Sequence, residues 1–164
     1  MVRRDVFEEV GGFDEDYFLL REETDLCWRM WLQGYKVIFI PNSVVYHAIG
    51  GAFKESNIQS LYFFQRNMIV TLIKNLEFKN LLKILPVHLL LLFIDSLFSS
   101  LKNKSPERLR ITLKSINYAI RNLKQIWNKR LNVQSRRKVS DKKLFKYLMA
   151  KITLLDKLRE RLRT

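Results

Sequence analysis

Glu22-Glu23-Thr24-Asp25 puts three carboxylates into four residues. They open a stretch of helical spacing in which Leu26, Met30 and Trp31 share one side. A helix N-terminus carries a partial positive charge and favours ionised carboxylates. A carboxylate held that way can take a proton from a hydroxyl or face a cation. The plainer reading of the same residues is a solvated first turn that offsets the helix dipole. His47 follows an expected strand and precedes Gly50-Gly51, where a neutral imidazole can bind a divalent metal or serve as a structural group. Gly11-Gly12-Phe13-Asp14 can bring backbone close to a substrate, with Asp14 as hydrogen-bond acceptor. It can equally be a helix C-cap and turn. His88, inside an apolar run, and Cys27, the lone thiol, read as structural. A single cysteine excludes a disulfide framework and fits a reducing compartment.

The elements that must position these groups can be read along the chain. Residues 3–10 spell a short helix closed by Gly11-Gly12, and residues 22–33 a second one ended at Gly34. YKVIFI, residues 35–40, predicts a strand stopped by Pro41-Asn42, and residues 44–47 a second strand. Residues 1–55 therefore read as an α/β segment. The rest reads as helical. Residues 57–76 form one helix, and residues 84–101 are the most apolar stretch. Ser105 is placed to cap the next helix, with Pro106 at its first position and Glu107 beside the positive dipole end. Leu109, Leu113, Ile116, Ile120, Leu123 and Trp127 recur in fours and threes and form its apolar stripe, with Arg and Lys around it. The polar, basic run 134–143 reads as a linker. Ser140-Asp141 opens a last helix with Leu144, Leu148, Ile152 and Leu155 on one face. The division is thus 1–55, then apolar and amphipathic helices over 56–134, then 135–164 as basic linker and terminal amphipathic helix.

The charge divides with the architecture. Residues 1–57 hold 6 Lys and Arg against 10 Asp and Glu, a net −4, and residues 58–164 hold 24 against 6, a net +18. The acidic piece suits a cation or polar chemistry. The basic piece suits a polyanionic surface. Its cations spread evenly around apolar stripes with no nucleic-acid-reading motif, which favours an anionic membrane over nucleic acid. Pro86, His88 and Asp95 interrupt residues 84–101, so an in-plane or re-entrant helix is expected there in preference to a full span. MVRRDVFEEV has no apolar core of a secretory signal. Hydrophobic content of 48% is ample for a packed core.

The N-terminal third carries a resemblance. The segment from Arg4 to Phe18, RDVFEEVGGFDEDYF, resembles the loop after the central sheet of family-2 glycosyltransferases of the GT-A type. Glu22-Glu23-Thr24-Asp25-Leu26-Cys27-Trp28-Arg29 resembles the acidic motif that follows. Gly34-Tyr35-Lys36-Val37 through Pro41, then Val45-Tyr46-His47, resemble a strand pair ending in histidine. Arg66-Asn67 and Ser135-Arg136-Arg137-Lys138-Val139-Ser140 look like the tails of the rhamnosyltransferase-like subgroup. The resemblance implies the C-terminal part of a GT-A fold, an α/β fragment of about two strands, followed by an all-α, membrane-associating tail. It implies inverting transfer of a sugar from a nucleotide-sugar donor to a hydroxyl of a glycan or lipid-linked acceptor. Glu23 takes the general-base position, with Glu22 and Asp25 supporting it. Gly11, Gly12 and Asp14 lie along the acceptor loop. His47 ligates a divalent cation, Mg or Mn. Family members usually carry Asp where Glu23 stands, and the extra methylene moves the carboxylate by about 1.5 Å. The nucleotide-binding half of the family pattern, with its Asp-x-Asp motif, has no counterpart here. A separate chain carrying that N-terminal half is the expected partner, and the cytoplasmic face of the cell membrane is the expected location. Without that half the chain is expected to be inactive. The rival expectation is a non-enzymatic, basic, membrane-associated helical protein.

Overall fold

The structure is a computed structural model, and it describes residues 1–46 and 57–148. Seven helices account for the regular structure among the described residues: α1 (Arg4–Glu9), α2 (Glu22–Leu32), α3 (Asn57–Asn75), α4 (Phe78–Lys102), α5 (Glu107–Arg121), α6 (Leu123–Ser135) and α7 (Asp141–Leu148).

α3 is the organising element and packs on α2, α4, α5 and α6. Ile69, Val70, Leu72, Ile73 and Leu76 point from it into the main core, where Tyr17, Leu81, Ala119 and Ile126 meet them. A smaller core joins α1 to α2 through Val6, Val10, Leu26 and Met30. Gly11 and Gly12 have φ of +86° and +62°, the left-handed backbone that closes α1 without a side-chain penalty. At Gly12 a Cβ would also press on the Phe7 ring at 3.4 Å.

The expectation of an α/β fragment is overturned. No strand occurs among the described residues, and the segment is helix and irregular chain. Val37 to Ile40 lie exposed, as do Val44, Val45 and Tyr46. β-Branched residues favour a pleated, half-buried surface, but a strand needs a neighbouring strand to take its N–H and C=O groups. No described segment offers that edge. The rest of the second predicted strand, with His47, lies outside the described residues.

The apolar stretch is part of a longer helix that begins at Phe78, with Pro86 inside it. The stripe drawn through Leu113 and Ile120 is exposed. α5 instead buries Ile111, Thr112, Ser115 and Ala119. Toward α3, Thr112 donates to Gln65 Oε1 at 3.1 Å and Ser115 to the Tyr62 carbonyl at 3.4 Å, while Ala119 joins the main core. α5 and α6 are separate helices broken at Asn122, whose side-chain amide donates to the Tyr118 carbonyl at 2.9 Å.

The basic run after α6 is fastened to the body. The Lys138 and Val139 amides donate to the Leu32 carbonyl at 2.8 and 3.0 Å. Asp141, fully buried, accepts from the Glu77 amide at 2.7 Å, Asn80 at 2.8 Å and Arg137 at 2.9 Å. It thereby serves the start of α4 as well as opening α7.

Candidate functional site

The site is best built from Asp25, one turn into α2. It is fully buried and ionically matched from two helices. Arg29, one turn further on, gives its Nε to Oδ2 at 2.8 Å. From α3, Lys74 Nζ lies 3.0 Å from Oδ1, and the Asn75 amide donates to the same oxygen at 3.0 Å. The Tyr17 hydroxyl reaches Oδ1 at 3.3 Å and Thr71 at 2.7 Å. Burial in that company pushes the Tyr17 phenol well above its usual range, and the nearby Asp25 charge adds to the effect. Arg29 also donates to the carbonyls of Val10 at 2.6 Å and Gly12 at 2.7 Å, which ties α2 to the end of α1.

Lys74 carries the network to the acidic loop, with its Nζ 2.5 Å from Asp14 Oδ2. Lys129 of α6 closes the other side, bonded to Asp14 and, at 2.6 Å, to Asp16. Burial alone would raise the Asp14 carboxyl, but the Lys74 charge and the hydrogen bonds from Lys129 and Lys74 outweigh it and bring it to about 2. Asp14, Asp16 and Asp25 are thus matched by Arg29, Lys74 and Lys129, and the acidic loop is a neutralised, rigid wall.

The acidic turn stands on that wall. Leu20 and Arg21, immediately before α2, have φ of +65° and +72°. Non-glycine residues in this region cost of order 1–3 kcal/mol each and persist only where surroundings impose them. The imposing group is Asn67 on α3, whose side-chain amide donates to the carbonyls of Leu19 at 2.7 Å and Leu20 at 2.6 Å. Arg66 assists, donating to the Asp16 carbonyl at 2.5 Å and to Asn67 Oδ1 at 2.8 Å. The Arg21 guanidinium then lies over the Phe64 ring, 3.9 Å from its centroid. Glu22 follows with Oε2 buried and without a hydrogen-bond partner. Glu23 is exposed and receives the Thr24 hydroxyl at 3.3 Å.

The sequence-predicted residues therefore divide. Asp14, Asp25 and Gly12 come together in one network through Lys74 and Arg29, while Glu22 and Glu23 stay outside it. Gly11 caps α1. His47 lies outside the described residues. Among the described residues no three His, Cys, Asp or Glu side chains come together to hold a metal ion. The Asp14 and Asp25 carboxylates already have cationic partners, so the divalent cation implied by the resemblance finds no seat in the described part. Sequence reasoning missed Tyr17, Arg29, Lys74, Asn75 and Lys129. A usable signal was there: Asn67, Thr71, Lys74 and Asn75 repeat at helical spacing inside an otherwise apolar helix.

Residues 1–127 match the family described as Glycosyl transferase family group 2, and the chain belongs to that family. Within it, the chain is similar to rhamnosyltransferases. It is 43% identical over 47 residues to the N-acetylglucosaminyl-diphospho-decaprenol L-rhamnosyltransferase of Mycobacterium tuberculosis, a stretch covering 29% of this chain and 15% of that protein. It is 41% identical over 49 residues to the rhamnosyltransferase WbbL of Escherichia coli K12, covering 30% of this chain and 17% of that one. The matched stretch thus spans under a fifth of these relatives' own lengths. No solved structure matches.

Proposed function

We propose that this chain supplies the acceptor side and the catalytic carboxylate of a sugar transferase that uses a nucleotide-sugar donor. The observation that carries this reading is the acidic first turn of α2, exposed at Glu23 and set on a strained Leu20-Arg21 turn that α3 holds in place. In this reading Glu23 takes the proton of an acceptor hydroxyl as that oxygen attacks the anomeric carbon and the nucleoside diphosphate departs. Glu22 stands next to it in the same first turn. Asp25, buried and ion-paired, positions the turn. Gly11, Gly12 and Asp14 frame the acceptor loop. The mycobacterial relative's name specifies a lipid diphosphate acceptor, which supports a lipid-linked acceptor here. Work at the cytoplasmic membrane face, a rhamnosyl-type donor and a divalent cation at the donor diphosphate belong to the same reading. Donor binding falls to a nucleotide-binding segment other than the described residues.

The test is substitution of Glu23 in the assembled transferase. Glu23→Gln removes the base and is expected to lower kcat by about 10²–10⁴ with little change in donor affinity. Glu23→Asp restores the side chain usual in the family and is expected to retain or raise turnover. A large loss in Glu23→Asp, or full activity in Glu23→Gln, removes Glu23 from the base role.

A further inference from the structure

α4 is uncovered over most of its surface, with Val87, Leu91, Phe93 and Leu97 exposed beside the row described next. Its covered side meets α3 and α5 through Leu81, Leu85, Leu89, Leu92 and Ser96. The other side exposes Leu82, Leu90, Ile94, Phe98 and Leu101, with Leu90 58% and Phe98 70% accessible. At the rise of an α-helix this stripe is about 29 Å long. Exposed lysines stand at both ends, Lys79 and Lys83 flanking its first residue and Lys102 and Lys104 after its last. Monomers in water rarely keep so long an apolar patch open.

α5 decides how the covering phase lies. It follows α4 through a short connection in which the Ser99 and Ser100 hydroxyls bond Arg108 at 3.0 Å and the Leu109 amide at 3.3 Å, and the two helices pack together. Leu113 and Ile120 are exposed on α5. By helical repeat they lie near Leu109 and Ile116, both half-buried and the latter packed on the main core, and Arg110, Lys114 and Arg121 form the row next to them. A helix α4 standing upright in a bilayer would carry those cations into hydrocarbon, where charged side chains are strongly disfavoured. With α4 lying flat, the apolar rows of both helices enter the acyl boundary together and the cations stay among headgroups. Phe78, at the start of α4, meets Trp127 edge-on at 6.4 Å, an aromatic pair of the kind membrane interfaces favour.

We propose that α4 and the adjoining row of α5 form a monotopic face that lies in the plane of an anionic lipid bilayer. Charge selects this occupant over a second copy of the chain. Both ends of the α4 stripe are cationic, so pairing two copies in either direction sets lysines against lysines. An anionic headgroup layer matches them, as it does the net +18 of residues 58–164. The surface stands independently of the sugar-transfer reading.

The full chain is tested by flotation with sealed vesicles of phosphatidylcholine alone and of phosphatidylcholine with phosphatidylglycerol. Binding to the anionic vesicles is expected to exceed binding to neutral ones by at least about tenfold, since each lysine near the surface contributes about 1 kcal/mol. The variant L90Q/I94Q/F98Q, altered only at exposed positions, is expected to lose at least about tenfold of that binding with its helical circular dichroism intact. Orientation is read separately. With Cys27→Ser as background, Lys79→Cys and Lys102→Cys are each labelled from outside by a membrane-impermeant maleimide. The flat arrangement predicts labelling at both ends. Labelling at one end only would show a span and overturn the proposal. Equal flotation with neutral vesicles, or no flotation together with a stable dimer in solution, overturns it as well.

Discussion

Lys74 joins two carboxylates that would otherwise be buried charges. Its ammonium lies within 2.5 Å of Asp14 and 3.0 Å of Asp25, in a side chain that is 2% exposed. Removing one partner of a buried charge set costs about 3–5 kcal/mol, because the charge left behind is uncompensated. Lys74→Met is therefore expected to lower unfolding free energy by that amount in urea titrations. Lys129→Met, whose lysine is 32% exposed, is expected to cost distinctly less. The same network sets an acid limit. The Asp14 carboxyl stands at about 2 in the folded protein, below its ordinary value of 3.8. A carboxyl lowered on folding stabilises the native state above its unfolded pKa, and that contribution fades as pH falls through the folded one. Asp14 is thus worth about 2 kcal/mol at neutral pH, lost between about pH 4 and 2. Thermal melts across that window should show the decline, and it should be much smaller in Asp14→Asn.

At the scale of elements, α3 controls the conformation of a turn it does not contain. Asn67 holds Leu19 and Leu20 by their carbonyls, and the strained backbone at Leu20 and Arg21 follows. Asn67→Ala should cost about 1–3 kcal/mol, the penalty for leaving partly buried carbonyls without a donor. The informative effect is local. Amide exchange at Glu22 to Asp25 should accelerate while the α5 amides keep their protection. Uniform acceleration would show that Asn67 supports the whole core and not the turn. This dependence also explains what the sequence made legible. Both ends of α2 could be read, because carboxylates and Gly34 mark them locally. The residues that bend the chain into the turn could not, because Asn67 lies far along the sequence from Leu20. The strands expected at 35–40 and, as far as it is described, at 44–47 failed for a related reason: their β-branched composition is a local preference, and a strand is a pairwise structure. The apolar stripe of α5 was legible from its spacing, but spacing alone does not say which of its residues a neighbour covers: Ile116 packs on the core while Leu113 and Ile120 are exposed.

For the whole molecule, the acidic and basic pieces of the sequence are interlocked. Lys129 of α6 holds Asp14 and Asp16, Arg136 donates to the Glu9 carbonyl at 2.9 Å, and Lys138 and Val139 grip Leu32. The carboxylates of the acidic loop are consequently spent on internal cations, which bears on what the chain alone can bind. A nucleoside diphosphate sugar brings a concentrated negative charge, normally offset by a metal ion or by cations free to meet it. In the described part, Lys74 and Lys129 are already paired and no cluster of three metal-ligating side chains forms. Calorimetric titration of the chain alone with nucleotide sugars, with and without Mg or Mn, is therefore expected to give weak or no binding. Addition of a nucleotide-binding segment from a family member should restore it. Tight binding by the chain alone that depends on the metal would show a donor site within these 164 residues and would displace the division of labour proposed above. Tight binding without metal would have to come from exposed cations such as the row on α5. It should then fall steeply with salt and respond to Lys114→Ala but not to Glu23→Gln.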